Sequence, residues 1–538
     1  MTVSTRTRAR LALMAALAVA MALATGGLAE PASFGRTTTI DMPKRMRVEA
    51  AELADVDGDG ASDLVIAASR GGKRERRELR VHLRRSGAVA FGPDPDMTFA
   101  LLPDVVAFAV GDVHADPGAE IVLFAPTGAF ALRPRATTEK DRYVMLAKAD
   151  FLWQLPHSRR IVAWQDGVRD LNGDGLVDLV LPESSGYTIA IQGRSAATER
   201  RFAASRLRLP EGGATTPVAR GERRMRGRQR GRRVSISLQI GGGDARSGDL
   251  LTVTESVPAP RFIDWDGDGD LDLLAQTTAE LLVWIQPRSG LFRTSPDLRI
   301  ALPLEVDRRR LLDVSYAAHA TDLDGDGRSD YVLVAGDQTS EDPQAQVAVY
   351  RRARNEVGGA RPLFGEKGLP TQLLLVAGLA GVPEFPDVDG DGLPDLVMGS
   401  LRLDALDALR AATGSTLDAE LYVYRNRGGT FTKQPVLTHE VKLTAKGLRG
   451  ARRNLIARFI GDATGDGVSE LLMREDRERL RLLMVRRAKN ALTVIERPLW
   501  ETSIDDDADL VIEPGRAGEP PEILVLSARS LLHVRFGK

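Results

Sequence analysis

The chain of 538 residues contains no cysteine and only six histidines, and aromatic residues make up 5% of it. The absence of cysteine excludes a disulfide framework and the lipidated cysteine of a bacterial lipoprotein anchor. Any rigidity beyond that of a hydrophobic core must therefore come from another source, such as bound metal ions.

Familiar catalytic motifs are also missing. The chain has no Gly-x-Ser-x-Gly elbow, no phosphate-binding glycine-rich loop followed by lysine and no His-Glu-x-x-His motif, since His439-Glu440 lacks the second histidine. His82, His319 and His533 stand in strand-like segments or just before a loop, where a packed or surface role is commoner than proton transfer. The sequence therefore assigns no catalytic residue and favours a protein without enzymatic activity.

Residues 1–29 have the pattern of a secretory signal peptide. Three arginines at positions 6, 8 and 10 precede the apolar stretch 11–24, and Gly27-Leu28-Ala29 offers a small-residue cleavage site. The alternative is an uncleaved anchor, although the apolar stretch is short for a membrane span. Cleavage removes three arginines and no acid, so the net charge changes from −1 to −4. We therefore expect a secreted or periplasmic protein with no membrane span after cleavage and no nucleic-acid partner.

One acidic pattern, Asp-x-Asp/Asn-Gly-Asp-Gly-x-x-Asp, recurs along the chain. Five copies fit it without a mismatch and begin at Asp55, Asp170, Asp264, Asp322 and Asp387. Two looser copies begin at Asp112 and Asp462 and carry glutamate in the ninth position. So much adjacent negative charge is tolerable only beside a cation.

The spacing within each copy suits calcium. Alternate residues of a tight loop point the same way, so oxygens from the first, third and fifth positions meet, and Ca²⁺ takes six to eight oxygens at about 2.3–2.6 Å. Glycine in the sixth position, such as Gly60, suits a sharp turn with positive φ. An EF-hand is excluded because Ile66 and its counterparts are apolar at the twelfth position, where that motif needs glutamate. The ninth residue must therefore complete the site.

The segments after each loop predict buried strands, because they are short, apolar and often β-branched, as in Leu64–Ala67. A second alternating strand follows, as in Leu79–Leu83, Leu281–Ile285, Val347–Tyr350 and Leu421–Tyr424.

The repeat period predicts the architecture. The first aspartates of successive copies are separated by 57, 58, 94, 58, 65 and 75 residues, enough in each unit for the four strands of a propeller blade. An eighth unit, from Glu513 to Leu526 and from Leu531 to Phe536, lacks most candidate ligands. We therefore predict an all-β propeller of four-stranded blades with eight blades, or seven if the first and last segments share one blade, a closure that would also hide sheet edges.

These repeats resemble the FG-GAP/VCBS family, which includes the propeller of integrin α-subunits and many exported bacterial proteins, and the resemblance covers residues 37–538. The resemblance implies a propeller whose aspartate loops join two strands of a blade and hold Ca²⁺ on one rim, at about five sites and at most seven. The implied ligands are Asp55, Asp57, Asp59 and Asp63; Asp170, Asn172, Asp174 and Asp178; Asp264, Asp266, Asp268 and Asp272; Asp322, Asp324, Asp326 and Asp330; and Asp387, Asp389, Asp391 and Asp395.

The second and seventh loops depart from the family pattern. His114 is a poor ligand for a hard ion, Pro117 replaces a glycine, and Thr464 offers only a neutral oxygen. We expect weaker metal binding there. The weaker candidate ligands are Asp112, Asp116, Glu120, Asp462, Thr464, Asp466 and Glu470.

Two insertions interrupt the repeats. The insertion at about 197–250 contains eight arginines between Arg220 and Arg233, which form either a solvated loop or a site for a polyanion such as an acidic polysaccharide. Residues 401–417 have a helical period and predict a helical insertion on the rim.

Two functions remain in competition. The favoured one is an exported, non-enzymatic calcium-binding propeller that binds a protein or a glycan through one face, as family members do in adhesion. The alternative is a polysaccharide-processing enzyme such as a calcium-containing propeller lyase. A lyase would need arginine or histidine side chains from different blades to meet in one cleft.

Overall fold

The computed structural model describes most of the chain from residue 34 onward. The described ranges are 34–71, 76–84, 91–114, 117–150, 161–164, 167–183, 185–193, 201–210, 233–240, 251–258, 260–277, 280–287, 290–301, 314–337, 344–351, 369–380, 383–401, 416–444, 457–475, 478–489, 491–505, 508–513 and 521–537.

The described strands, numbered in chain order, form nine sheets. Eight of them we call blades, and seven of the blades follow one another as antiparallel meanders. Blade 1 contains β2 (Met46–Ala54), β3 (Asp63–Arg70), β4 (Arg76–His82) and β5 (Met97–Ala100). Blade 2 contains β6 (Ala107–Gly111), β7 (Glu120–Ala125), β8 (Gly128–Leu132) and β9 (Tyr143–Lys148). Blade 3 contains β11 (Val168–Arg169), β12 (Asp178–Glu183), β13 (Gly186–Gly193) and β14 (Arg201–Arg208). Blade 4 contains β17 (Arg261–Ile263), β18 (Asp272–Gln276), β19 (Glu280–Trp284) and β20 (Leu298–Ala301).

The remaining blades repeat this order. Blade 5 contains β21 (Val314–Thr321), β22 (Asp330–Asp337), β23 (Gln344–Tyr350) and β24 (Gln372–Ala377). Blade 6 contains β25 (Leu379–Ala380), β26 (Leu396–Leu401), β27 (Thr416–Tyr424) and β28 (Leu437–Thr444). Blade 7 contains β29 (Ala457–Phe459), β30 (Leu471–Glu475), β31 (Arg479–Ala488) and β32 (Ala491–Ser503). Blade 8 contains β33 (Asp509–Glu513), β34 (Glu522–Leu526), β35 (Ser530–Phe536) and β1 (Gly35–Asp41).

Hydrophobic clusters join the blades into a closed ring. Each of eight clusters is shared by two successive blades; in one of them Leu79 of blade 1 packs with Phe108 of blade 2. The last cluster brings Leu524 of blade 8 against Leu64 of blade 1. The prediction of an all-β propeller with eight blades is therefore confirmed, and the seven-blade alternative is wrong.

The last blade combines the two ends of the described chain. β1 pairs antiparallel with β35, from Gly35 opposite Phe536 to Asp41 opposite Ser530. The sequence analysis associates a blade shared by the first and last segments with a seven-bladed ring, but in the structure this sharing completes an eighth blade. The pairing also covers an edge of β35 that would otherwise be open.

The second strand of a blade is buried on both faces, which explains its continuous apolar sequence. In β3 the first seven residues are buried, because neighbouring blades cover both sides of the sheet. Each fully buried leucine or isoleucine there, such as Leu64 or Ile66, stabilises the fold by roughly 1.5–3 kcal/mol. The alternating strands predicted from the sequence correspond to β4, β19, β23 and β27.

A few elements lie outside the meanders. β10 (Val162–Ala163) runs parallel to β6 as a fifth strand of blade 2, and β15 (Arg233–Ile240) pairs with β16 (Leu251–Pro258) in a separate hairpin. The single-turn helix α1 (Glu139–Arg142) begins after Thr138, whose side chain accepts a hydrogen bond from the Asp141 N–H. Within the described residues, no helix is long and apolar enough to cross a membrane.

The two predicted insertions are only partly described. β14 falls inside the range predicted as the first insertion and is the fourth strand of blade 3; Ser205 and Leu207 point inward in alternation with exposed neighbours. The arginine-rich residues 220–232 and residues 402–415 of the predicted helix lie outside the described residues. Leu401 and Thr416, at the ends of that predicted helix, belong to β26 and β27.

Candidate metal-binding loops

Seven acidic loops connect the first and second strands of blades 1 to 7. We call them loops 1 to 7, each running from its first aspartate to its ninth residue. They span 55–63, 112–120, 170–178, 264–272, 322–330, 387–395 and 462–470. Because the blades repeat one meander around a common axis, all of these connections lie on one face of the ring.

Backbone N–H groups fix the first aspartate of a loop. In loop 1, Gly58 N donates to Asp55 Oδ1 at 2.6 Å and Gly60 N donates to Asp55 Oδ2 at 2.9 Å. The same two bonds recur in loops 4, 5, 6 and 7. Gly58 and Gly60 have φ of 76° and 87°, in the left-handed region that glycine adopts without strain, so the positive φ predicted for the sixth position is confirmed.

In loops 1, 3, 4 and 6 the ninth residue ties the loop to a backbone N–H at or just after the end of the third strand of its blade. Asp63 is fully buried, and its Oδ2 accepts from Val56 N at 2.9 Å while its Oδ1 accepts from Arg84 N at 2.8 Å. Asp272 repeats this arrangement, with 2.7 Å bonds from Trp265 N and Gln286 N. The ninth carboxylate therefore holds the blade together as well as facing the loop.

Carboxylate oxygens converge in five of the loops. In each, three acidic side chains offer oxygens that all lie within 4.8 Å of one another. The groups are Asp55, Asp57 and Asp63; Asp264, Asp266 and Asp272; Asp322, Asp324 and Asp330; Asp387, Asp389 and Asp395; and Asp462, Asp466 and Glu470. The first, third and ninth predicted positions thus meet in four loops, and the first, fifth and ninth meet in loop 7.

The other predicted ligands are placed differently. In loops 1, 4, 5 and 6 the fifth-position carboxylate, such as Asp59, accepts the N–H of the seventh residue and does not join the group. In loop 3, Asn172 stands in the third position and its Nδ2 donates to Asp174 Oδ2 at 3.3 Å. In loop 2, Glu120 Oε2 accepts from His114 N at 2.9 Å, and Asp116 lies outside the described residues.

Burial and crowding disfavour the charge of these carboxylates. Burial raises the pKa of Asp178 to about 7; two backbone N–H bonds lower it, and the carboxylates of Asp174 and Asp170 raise it further. The pKa values of Asp272, Asp395 and Glu470 also rise to about 7, with burial as the largest cause. A nearby cation would reverse this effect, because it favours the ionised form.

The donor set fits a hard divalent cation. All converging atoms are carboxylate oxygens, which Ca²⁺ prefers, and a softer metal would favour nitrogen or sulfur. Two buried oxygens, Asp170 Oδ1 and Asp389 Oδ1, have no hydrogen-bond partner. Buried polar atoms without a partner are uncommon in folded proteins, and a bound cation would interact with these two oxygens.

Neighbouring loops also bond to one another, which the sequence did not predict. Ala119 N of loop 2 donates to Asp55 O of loop 1 at 2.9 Å, and Ser469 N of loop 7 donates to Val388 O of loop 6 at 2.9 Å. Leu271 N of loop 4 donates to Leu171 O of loop 3 at 2.7 Å. In all three pairs the eighth residue of one loop reaches the first or second residue of the preceding loop.

Two arginines enter the acidic groups, and the sequence analysis missed them. Arg425 Nε lies 2.8 Å from Asp389 Oδ2 and its Nη2 lies 3.0 Å from Asp391 Oδ2, while Arg351 Nη2 contacts Asp324 Oδ2. Each arginine directly follows the third strand of its blade. An arginine placed directly after the predicted third strand is the sequence signal that could have identified them.

The eighth blade carries an acid without an acidic loop. Glu522 begins β34, as Asp63 begins β3, and accepts a bidentate ion pair from Arg84 of blade 1 at 2.9 and 2.7 Å. His533 Nε2 lies 2.6 Å from Glu522 Oε2, and Arg535 Nε lies 3.4 Å from Glu522 Oε1. Three cationic or protonatable groups surround one carboxylate here.

The histidines do not gather at one site within the described part of the chain. His82 and His533 are fully buried, and His319 lies in the first strand of blade 5 with its ring 5.0 Å from the Phe385 ring. His439 Nε2 lies 3.1 Å from Met473 Sδ. These placements agree with packed roles.

Comparison with known proteins gives only distant structural similarities. No protein-family model and no curated protein sequence matches it. Among solved structures, an Agrocybe aegerita lectin that recognises non-reducing terminal N-acetylglucosamine is 15% identical with a TM-score of 0.38, over 87% of this chain and 94% of the lectin. The Vibrio cholerae biofilm matrix protein Bap1 is 10% identical with a TM-score of 0.37, over 94% and 91%.

A third similar structure is Chaetomium thermophilum Sqt1 bound to the N-terminus of ribosomal protein L10. It is 10% identical with a TM-score of 0.40, over 93% of this chain and 98% of that one. Likenesses at this level carry no conclusion about a ligand, so the functional argument depends on the loops themselves.

Proposed function

We propose that this protein is a calcium-binding β-propeller of the FG-GAP/VCBS type that binds a protein or a glycan through the face formed by its acidic loops and catalyses no reaction. The observation that carries the proposal is the recurrence of a three-carboxylate group in five loops of that face. Such recurrence suits a shared structural ion at each loop better than a single catalytic centre.

The loop residues would hold calcium and keep its ligands in place. In loop 1, Asp55, Asp57 and Asp63 would bind the ion, with the Ala61 carbonyl as a further oxygen ligand. When bound, the ion supplies the positive charge that these carboxylates lack. The N–H bonds from Gly58 and Gly60 orient Asp55 before any ion arrives, which lowers the entropy lost on binding.

The same face offers a chemistry for partner recognition. Ca²⁺ ligands include waters, and carboxylates of a protein or hydroxyls of a sugar can take their place. The exposed fifth-position acids, such as Asp59 and Asp268, add hydrogen-bond acceptors around each loop. A protein or a glycan is therefore the partner class that we propose.

We further propose that the protein is exported and that residues 1–29 are its signal peptide. Calcium sites of extracellular modules have dissociation constants of about 10⁻⁴–10⁻³ M. Loops built largely from a few carboxylates and backbone oxygens would bind calcium in an external medium. A chelator would remove the calcium ions from them easily.

Thermal unfolding of the mature protein tests the calcium part. An ion that binds only the folded state adds about 2.7 kcal/mol per site at one hundred times its dissociation constant. We expect excess chelator to lower the Tm sharply and added Ca²⁺ to restore it. An unchanged melting curve in excess chelator would contradict calcium binding.

Ligand arrays test the recognition part. We expect the calcium-loaded protein to be retained on a glycan or protein array and to lose that retention in chelator. Incubation with uronate-containing polysaccharides, followed by ultraviolet absorbance, separates this function from that of a lyase. Accumulation of unsaturated products would contradict the non-enzymatic function.

A further inference from the structure

In two of the blades, one position at the end of the third strand brings an arginine to the acidic group. This position lies opposite the ninth acid in the pairing of the second strand with the third strand. In blades 1, 3 and 4 the second-to-third-strand pairing Leu64–His82, Leu179–Ala190 and Leu273–Trp284 places Leu83, Ile191 and Ile285 there.

Blades 5 and 6 have arginine at the same position. Their pairing Tyr331–Tyr350 and Leu396–Tyr424 places Arg351 opposite Asp330 and Arg425 opposite Asp395. The two arginines are therefore alternatives to an apolar side chain at one structural place and not scattered surface charges.

The arginines contact the carboxylates that calcium would need. The Asp389 side chain is only 3% exposed, and Arg425 takes its Oδ2 at 2.8 Å while also reaching Asp391. The Asp324 side chain is 5% exposed and pairs with Arg351. A buried carboxylate needs a compensating charge, and each arginine supplies one from the chain itself.

We propose that Arg351 and Arg425 are built-in counter-ions that weaken calcium binding at loops 5 and 6 and keep these loops closed without it, so that the face has two classes of loop. This inference rests on the proposed calcium-binding function. Loops 1 and 4, where Leu83 and Ile285 leave the acids uncompensated, depend on the ion; loops 5 and 6 do not. An ion entering loop 5 or 6 must displace the guanidinium from a carboxylate or tolerate a like charge beside it.

Blade 8 is the extreme case of an acid that is compensated by cations of the protein. Its pairing places Arg535 opposite Glu522, and the sequence has Pro514, Arg516 and Gly518 at the first, third and fifth positions when Glu522 is counted as the ninth. There the carboxylate is neutralised entirely by side chains of the protein. One ring thus contains loops with acids alone, loops with acids and one arginine, and a segment that lacks the acids of the first, third and fifth positions.

Calcium titration of metal-free protein by calorimetry tests the proposal with Arg351→Gln and Arg425→Gln. We expect each substitution to tighten one site at least tenfold, and Arg425→Lys, which keeps the charge, to change the affinity much less. Arg299→Gln is the matched control, because Arg299 is an exposed arginine paired with Glu280, which begins the third strand of blade 4 at the end opposite loop 4. Unchanged affinities in both glutamine variants would overturn the proposal.

Hydrogen exchange of the unmodified protein gives a second reading that does not depend on the variants folding. We expect chelator to reduce protection at 55–63 and 264–272 while 322–330 and 387–395 stay protected. Equal loss of protection in all four loops would overturn the two classes but leave calcium binding intact. Absence of any calcium binding or calcium-dependent protection would overturn this proposal and the proposed function together.

Discussion

Blades 4 and 8 place an acid at the same point of the fold and give it opposite electrostatic surroundings. Asp272 begins β18 and Glu522 begins β34. Burial raises the pKa of Asp272 to about 7; hydrogen bonds from Gln286 and Trp265 offset only part of this effect, and the carboxylates of Asp266 and Asp268 add to it. Burial also acts to raise the pKa of Glu522, but His533 and Arg84 outweigh it and lower the pKa to about 2.

The difference separates two roles of the ninth acid. Its position at the start of the second strand is architectural and persists in both blades. The charge that compensates it is variable: side chains of the protein supply it in blade 8, whereas no cation is among the groups that act on Asp272 in blade 4. Under the proposed function, a calcium ion would supply that charge in blade 4.

Removing Glu522 is expected to give the largest effect, because it leaves Arg84 and His533 buried without their partner. We expect Glu522→Ala to lower the free energy of unfolding by about 3–5 kcal/mol, measured by urea denaturation. Glu280→Ala is a matched control, because the Arg299–Glu280 pair is partly exposed to solvent and should contribute less than about 1 kcal/mol. Equal losses in the two variants would contradict a special role for the blade 8 cluster.

Asp266→Asn should change stability in opposite directions with and without calcium. Without the ion it removes a carboxylate that raises the pKa of Asp272, so we expect a gain in stability. With the ion it removes a ligand, and we expect a loss of about 1–3 kcal/mol as binding weakens. Asn172→Asp adds a carboxylate at the corresponding position of loop 3. We expect it to lower stability without calcium and to raise stability with calcium. Both sets of stabilities can be compared by thermal unfolding; a sign that does not change with calcium would contradict the comparison.

The pH dependence of the calcium-free protein should show both electrostatic environments. The raised pKa of Asp178, Asp272 and Asp395 gives a contribution to stability that is complete below their usual value of 3.8 and is lost as the pH rises through about 7. Glu522 behaves oppositely, since its contribution is present above 4.5 and is lost as the pH falls towards 2. We expect maximal calcium-free stability between about pH 4 and 5, and we expect calcium to flatten the alkaline side. A calcium-free protein that becomes more stable from pH 5 to pH 8 would contradict these assignments.

The smallest expected effect distinguishes two glycines of loop 1. A Cβ on Gly58 would lie 2.8 Å from Gly118 N of the neighbouring loop, whereas a Cβ on Gly60 would meet nothing within 4 Å. Both have positive φ, so Gly60→Ala should cost about 1–2 kcal/mol from backbone strain alone. We expect Gly58→Ala to cost more, because it also forces loops 1 and 2 apart, and chemical denaturation of both variants would measure the difference. Equal costs would show that the contact between the loops contributes little.

The fold could be predicted from the sequence because each unit repeats local signals. Short apolar runs such as Leu64–Ala67 mark buried strands, and a recurring acidic loop marks the turn before each of them. The sequence analysis associates a closing pair of the first and last segments only with seven blades, because the sequence does not show that the shared blade is an additional one. The strand β14 was missed because its arginines resemble those of the insertion that follows it.

The candidate site was predictable only in part. The first, third and ninth acids are local in sequence, and the structure brings them together in four loops. Arg425 and Asp389, or Arg84 and Glu522, meet only through the pairing of strands and the closure of the ring. Contacts of this kind depend on register and on the number of blades, which no single loop encodes.

The pairing of β1 with β35 also has a kinetic consequence. These strands come from opposite ends of the described chain, so their contact closes the longest loop in the molecule and forms at a high entropic cost. We therefore expect the ring to close last and to open first at the β1–β35 pair within blade 8 and at the adjoining interface between blades 8 and 1. The ion pair between Arg84 and Glu522 connects blades 1 and 8, so the unfolding rate of the native ring should depend on the strength of this ion pair.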